Sequence, residues 1–81
     1  QFLVRVAVML GEGVVLETWI DNGQYCDMTV YIPREKESLL VSDNGVLHSP
    51  AFSEFVLEKS TLLSSPETNY LRYRFLFSRV S

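Results

Sequence analysis

Two segments of this chain alternate apolar and polar side chains with the period of two that a half-buried β-strand requires. The first is residues 25–32, YCDMTVYI, and its apolar set is Cys26, Met28, Val30 and Ile32. The second is residues 69–80, and its apolar set is Leu71, Tyr73, Phe75 and Phe77. Because successive side chains of a strand point to opposite faces, each segment predicts one strand with a core face and a polar face.

Two further strands are predicted upstream, over residues 2–10 and 14–20, where β-branched and aromatic residues are frequent. The glycine-containing stretches GEG and DNG, which begin at Gly11 and Asp21, separate these strands from each other and from residues 25–32. Such stretches are typical of hairpin turns. The first 32 residues are therefore predicted to form a three-stranded meander.

The register of this meander follows from its apolar positions, because a slip of one residue moves every side chain to the other face. Three-residue loops that end at Gly13 and Gly23 in the left-handed conformation bring nearly all strongly apolar side chains to one face. Leu16 and Ile20 then lie on this apolar face, with Leu16 opposite Met28, and Trp19 lies on the other face.

The middle of the chain carries turn and helix signals. Residues 33–38, PREKES, predict a polar break, and residues 39–48 predict a short hairpin centred on DNG. Residues 49–59 predict a helix, with Ser49 as its N-cap and Pro50 at its first position. Side chains at helical spacing would form its buried face: Phe52, Phe55, Val56 and Lys59.

These elements define an α+β fold with a small, mainly antiparallel sheet of about four to six strands and one helix packed on one face. A small β-barrel capped by the helix is the alternative. The 81 residues fit one small domain, and their hydrophobic content of 47% is ordinary for a globular chain. Since the sequence begins with Gln1, we expect a processed chain or a piece of a longer protein.

Residue types that carry catalysis or hold metals are sparse. His48 and Cys26 are the sole histidine and thiol, and Cys26 is predicted to face the core. The acidic residues lack paired spacing, no Cys/His cluster fits a zinc site, and neither GEG nor DNG opens a helix as a phosphate-binding loop does. We therefore expect no enzymatic activity, no metal and no cofactor.

The cysteine count and the apolar runs bear on the compartment. One cysteine allows no intramolecular disulfide, and no N-glycosylation sequon is present. Both features favour an intracellular chain, either cytoplasmic or nuclear. No run approaches the ~20 apolar residues of a membrane-spanning helix, so no membrane association is expected.

The sheet face opposite the predicted core combines residue types that are enriched in protein interfaces. Arg5, Trp19 and Tyr25 would form a row across three strands, and Met9 and Tyr31 would flank it. Exposed apolar patches of this kind are usually covered by a partner. The sequence thus predicts a protein–protein interaction or assembly module, which binds a protein partner or a second copy of itself.

The last fourteen residues carry Arg72, Arg74 and Arg79 and no acid, although the whole chain has a net charge of −3. The long final strand is a candidate edge strand, which could add a strand from a partner. A nucleic-acid-binding module that uses these arginines with Tyr70 is the alternative function. It is weakened because most of the strand's rings and arginines are predicted on opposite faces, whereas single-strand binding needs them together.

Overall fold

The computed structural model describes residues 11–41 and 55–80, and their four strands form one open antiparallel sheet. The strands are β1 (Val15–Asp21), β2 (Tyr25–Pro33), β3 (Phe55–Leu63) and β4 (Tyr70–Arg79). They lie in the order β1-β2-β4-β3, and one short helix follows β2. The α+β prediction is confirmed, and the barrel alternative is wrong because the sheet is not closed.

One face of the sheet, here called the inner face, carries the hydrophobic core. On β2 and β4 the alternation predicted from the sequence is confirmed. Cys26, Met28, Ile32, Phe75 and Phe77 all have 0% exposure. Burial, followed by the nearby charges of Asp21 and Asp27, raises the pKa of the Cys26 thiol to about 11. Cys26 therefore behaves as a small apolar core residue.

The β1–β2 hairpin forms where it was predicted, but its register differs. The prediction placed Leu16 opposite Met28, whereas in the structure Trp19 lies opposite Met28 and Leu16 lies opposite Val30. The predicted left-handed backbone is confirmed at both turn glycines, since φ is +92° at Gly13 and +90° at Gly23.

The different register has its cause in the side chain of Asn22. Its Oδ1 accepts hydrogen bonds from the N–H groups of Gln24 (3.0 Å) and Tyr25 (2.8 Å), while its own N–H donates to the Tyr25 carbonyl at 3.1 Å. Asp21 Oδ1 also accepts from the Gly23 N–H at 2.8 Å. These bonds place the turn at residues 22–24 rather than 21–23, because asparagine and aspartate side chains readily cap nearby N–H groups in turns.

A β-bulge between Leu16 and Thr18 changes which side chains of β1 reach the core. One extra residue in a bulged strand shifts the alternation by one position. As a result Leu16 and Trp19, three residues apart, both pack against the core, while Ile20 points to the opposite face with 65% exposure. The predicted position of Trp19 on the outer face is therefore wrong.

After β2 the chain forms a 3₁₀ turn at Arg34–Lys36 and then a four-residue helix, α1, at Glu37–Leu40. Leu40 is fully buried in the core. The predicted polar break is thus helical, and a strand beginning at position 39 is wrong. The Tyr73 hydroxyl donates to Glu37 Oε2 at 2.6 Å and ties α1 to β4. Burial and this bond raise the pKa of Tyr73 to about 12.

Residues 55–59 belong to β3, so the predicted helix is wrong there. Phe55 and Leu57 turn toward the core, with Leu57 opposite Phe77, and Val56 between them is 49% exposed. The spacing of Phe55 and Val56 fits the apolar face of a helix as well as a strand. The pairing of β3 with β4 selects the strand. Long-range packing of this kind regularly overrides local patterns.

β4 pairs with β2 on one side and with β3 on the other. Its predicted role as an edge strand is therefore wrong, and β1 and β3 are the outer strands of the described sheet. The predicted strand at residues 2–10, the hairpin over 42–48 and the start of the helix at 49–54 lie outside the described residues.

Candidate interaction surface

The outer face of the sheet, opposite the core, has a polar centre and two apolar ends. In the central row Thr18, Thr29, Arg74 and Thr61 are neighbours across the four strands. The apolar and aromatic side chains lie toward the two ends of the strands. One end carries Ile20, Tyr25, Val56 and Leu76, and the other carries Val15, Tyr31, Leu63 and Tyr70.

Two arginines of β4 form ion pairs across this face. Arg74 contacts both carboxylate oxygens of Asp27, at 2.5 Å and 3.0 Å, in a forked arrangement. Arg72 contacts Glu17 Oε2 at 2.6 Å through Nη2 and at 3.2 Å through Nε. The β-bulge at Glu17 lets this side chain join the outer face. Two acids of the first hairpin, Glu17 and Asp27, are thus neutralised by β4.

These ion pairs shift the pKa values of their members in the expected directions. The hydrogen bond from Arg72 lowers the pKa of Glu17, and that from Arg74 lowers the pKa of Asp27. The same bonds raise the pKa values of both arginines. A carboxyl group whose pKa is lowered by folding stabilises the fold above its ordinary pKa, and this contribution is lost as the pH falls.

We expect acid to destabilise the chain partly through these pairs, with the loss beginning near the ordinary carboxyl pKa values of 4.5 and 3.8 and continuing below them. Arg74→Met keeps much of the aliphatic stem but removes the charge, so the Asp27 pKa should return toward its ordinary value. The acid-dependent loss of stability should then be smaller. Urea unfolding followed by circular dichroism, repeated from neutral pH down to about pH 3, measures this acid-dependent loss of stability.

Arg34→Met is the matched control, because the Arg34 Nε–H donates to the carbonyl oxygen of Thr68 rather than to a carboxylate. Its acid dependence should match that of the unmodified chain. An Arg74→Met variant with unchanged acid dependence would contradict the Asp27 contribution. High salt should reduce the Arg74 effect, since exposed pairs are screened.

An aromatic corner lies at one apolar end of the outer face. The rings of Tyr31 and Tyr70 stand at 90° to each other with centroids 6.4 Å apart. The Arg72 guanidinium lies 6.0 Å from the Tyr31 centroid. Burial, followed by the hydrogen bond with Glu17, raises the pKa of Tyr31. Tyr31 is therefore held in place by β4 and by the bulge of β1.

At the other end lies an exposed apolar patch, here called the hairpin-end patch, formed by Ile20, Tyr25 and Val56. Their exposures are 65%, 48% and 49%. Ser78 of β4, whose hydroxyl donates to Glu58 Oε1, lies between Tyr25 and Val56, and Ile20 is opposite Asp27, two residues from Tyr25 along the sheet. The patch thus draws one large apolar side chain from each of three strands.

Arg79 lies on the inner-face side at the end of β4. Its Nε–H donates to the Gly23 carbonyl at 2.7 Å, and its guanidinium lies 4.8 Å from the Phe55 centroid. Its backbone N–H donates to Gln24 O at 2.8 Å. Arg79 therefore holds the hairpin turn against β4.

The predicted binding residues consequently fall into several places. Tyr25, Tyr31, Arg72 and Arg74 lie on the outer face as predicted, whereas Trp19 packs against the core and Arg79 lies beyond the core at the turn. Arg5 and Met9 lie outside the described residues. No row of Arg5, Trp19 and Tyr25 can form on one face, because Trp19 is on the inner side.

Sequence reasoning missed Ile20 and Val56. Ile20 was placed in the core by the predicted register, and Val56 was placed on the buried face of a helix. The sequence feature that could have placed Ile20 on the outer face is the Asp21-Asn22 pair, because these side chains can cap the turn and shift the register. For Val56, the alternation from Phe55 to Leu57 was the available signal.

Neither a metal site nor a membrane-spanning segment is visible in the described residues. No group of three or more His, Cys, Asp or Glu side chains converges within residues 11–41 and 55–80. In the same ranges no helix has the length and apolar character needed to cross a membrane.

No protein-family model matches this chain, and comparisons with curated proteins and with solved structures gave no significant match.

Proposed function

We propose that this chain is a non-enzymatic protein–protein interaction or assembly module that associates through the outer face of its sheet. The observation that supports it is the hairpin-end patch. Ile20, Tyr25 and Val56 lie at the same end of the outer face with exposures of 48–65%, and exposed apolar side chains of this kind often mark an interaction site. Tyrosine beside such residues is typical of the central part of a protein interface.

The outer face favours association more than the sheet edges do. β3 is an outer strand of the described sheet, but a bulge between Leu57 and Lys59 interrupts its middle, where Glu58 and Lys59 lie. β1 carries the bulge at Glu17. Bulges and charged side chains are the features by which natural edge strands resist pairing with other strands. Strand addition at these edges is therefore the weaker route.

The alternative of nucleic-acid binding has less support. Arg72 and Arg74 are paired with carboxylates, and Arg79 bonds a carbonyl oxygen. Phosphate binding through these arginines would have to break contacts that the fold already makes. Net charge also opposes it, since the chain is negative overall.

A second copy of the chain is the first partner to test, because a two-fold dimer can bury the same apolar patch on both subunits. We expect the chain to sediment as a dimer in a concentration-dependent manner, and Ile20→Asp to sediment as a monomer. A buried, unpaired carboxylate at the interface would prevent association. The measurement is sedimentation velocity at low and high salt. Ile20→Asp should lose the dimer to the same extent at both salt concentrations.

Val15→Asp is the matched control, because Val15 lies on the same strand and the same face at the other end, with 51% exposure. It introduces the same charge and should leave the dimer intact. Circular dichroism should show that both variants are folded. An unmodified chain that stays monomeric at every concentration would contradict self-association through this patch.

A further inference from the structure

A small cleft at the opposite end of the outer face has the composition of a site for an organic cation. Its walls are Val15, Tyr31, Tyr70 and Glu67. The two tyrosine rings stand at 90° and form two sides of a corner, and Val15 forms an apolar third side. The cleft therefore offers two π-systems, aliphatic surface and one carboxylate.

The loop that carries Glu67 is fixed by hydrogen bonds of its backbone. The Glu67 N–H donates to Ser65 Oγ at 3.2 Å, and its carbonyl accepts from the Ser65 hydroxyl and the Tyr70 N–H. Arg34 anchors the next two residues, with its Nε–H donating to Thr68 O and its backbone N–H to Asn69 O. A loop bonded in this way keeps the Glu67 backbone close to Tyr70 without a ligand.

The charges around the cleft favour a cation. Arg72 lies over Tyr31 but is paired with Glu17 at 2.6 Å, so its charge is largely balanced. Glu67 forms no ion pair with the other described residues. Burial and Glu17 raise the pKa of Tyr31 most, the Arg72 charge opposes them, and the Glu67 charge adds the smallest increase, which agrees with a position of Glu67 near that ring.

We propose that this cleft binds the methylated ammonium group of a lysine side chain presented by a partner protein. Aromatic faces attract cations through their quadrupoles, and corners of aromatic rings are a common way to hold quaternary ammonium groups. An unmodified ammonium is strongly hydrated, and one exposed carboxylate replaces few of its hydrogen bonds with water. Methyl groups remove that hydration and supply apolar surface for the rings and Val15.

The site is distinct from the hairpin-end patch and does not depend on self-association. Tyr31 and Tyr25 lie near opposite ends of β2, so a ligand in the cleft leaves the patch open. Loss of dimerisation in Ile20→Asp and loss of cation binding in a cleft variant are therefore separate results, and either can fail alone.

The test is a nuclear magnetic resonance titration of the isotopically labelled 81-residue chain with three probes. These are N-acetyl-trimethyllysine amide, N-acetyl-lysine amide, and the uncharged analogue with carbon in place of the trimethylated nitrogen. We expect the trimethylated probe to shift resonances of Val15, Tyr31 and Tyr70, and to bind about five-fold more tightly than the uncharged analogue. The unmodified lysine probe should bind more weakly than the trimethylated one.

Two variants assign the preference to the cleft. Tyr70→Leu should remove the preference for the cation over its uncharged analogue, and Glu67→Gln should weaken cation binding by a few-fold. Tyr25→Leu, at an exposed tyrosine on the same strand as Tyr31, should leave it unchanged. Equal binding of the charged and uncharged probes, shifts located elsewhere, or an unaltered preference in folded Tyr70→Leu would each overturn the proposal.

Discussion

Phe75→Ala is expected to lower the free energy of unfolding by about 3–5 kcal/mol, the cost of removing a fully buried aromatic side chain from a packed core. Phe75 has 0% exposure and lies opposite Met28 on β2. Its ring stacks on Tyr73, with centroids 5.5 Å apart and planes 8° from parallel, and lies 6.4 Å from the Phe77 ring. Alanine would remove all of these ring contacts at once.

The consequence is large because the chain is small. A single core in a domain of this size rarely supplies more than about 3–5 kcal/mol of net stability. Phe75→Ala should therefore be mostly unfolded at room temperature, with reduced β-sheet signal in the circular dichroism spectrum. Phe75→Leu, which retains part of the buried volume, should stay folded with an intermediate urea midpoint.

Tyr25→Ala is the matched control, since it also removes an aromatic ring from a strand of the same sheet. Tyr25 is 48% exposed on the outer face, so its loss should cost no more than about 1 kcal/mol. If both alanine variants lost the same stability, the inner face would not be the core. Urea unfolding at one protein concentration below the dimerisation range keeps association out of the comparison.

The sequence was sufficient to predict the core of β2 and β4, and the physical reason is their strict alternation. At residues 25–32 and 70–77 every second side chain is apolar, and a strand with such a pattern has one face that it must bury. Turn glycines were predictable for a similar local reason. At Gly13 and Gly23 the backbone adopts a φ that other residues avoid.

The register of β1 was not predictable from the pattern, because its cause is a set of contacts rather than a period. Asn22 caps the turn, and Glu17 sits at a bulge where it pairs with Arg72, 55 residues away in the chain. No local window contains both partners of that pair. Without the bulge, Leu16 and Trp19 could not face the same side.

The position of β3 and the role of β4 were missed for a related reason. Both depend on which strands become neighbours, and residues 55–63 carry a pattern that a helix or a strand can satisfy. The errors in the predicted fold also led to errors in the predicted binding surface. Tyr25, Tyr31, Arg72 and Arg74 were placed on the correct face because they belong to strongly alternating strands, whereas Trp19 belongs to a bulged one.

Trp19→Ala is expected to lower the free energy of unfolding by about 2–3 kcal/mol, less than a fully buried tryptophan would, because Trp19 is half-buried against the core. Ile20→Ala should change it by no more than about 0.5 kcal/mol, since Ile20 is 65% exposed on the outer face. The predicted three-residue turn at 21–23 requires the reverse order, with Ile20 in the core and Trp19 outside it. Urea unfolding of the two variants therefore distinguishes the two registers directly: a larger loss in Ile20→Ala would contradict the pairing of Trp19 with Met28. Trp19→Ala also separates stability from association. It should weaken the fold, but Trp19→Ala chains that remain folded should still dimerise through the hairpin-end patch.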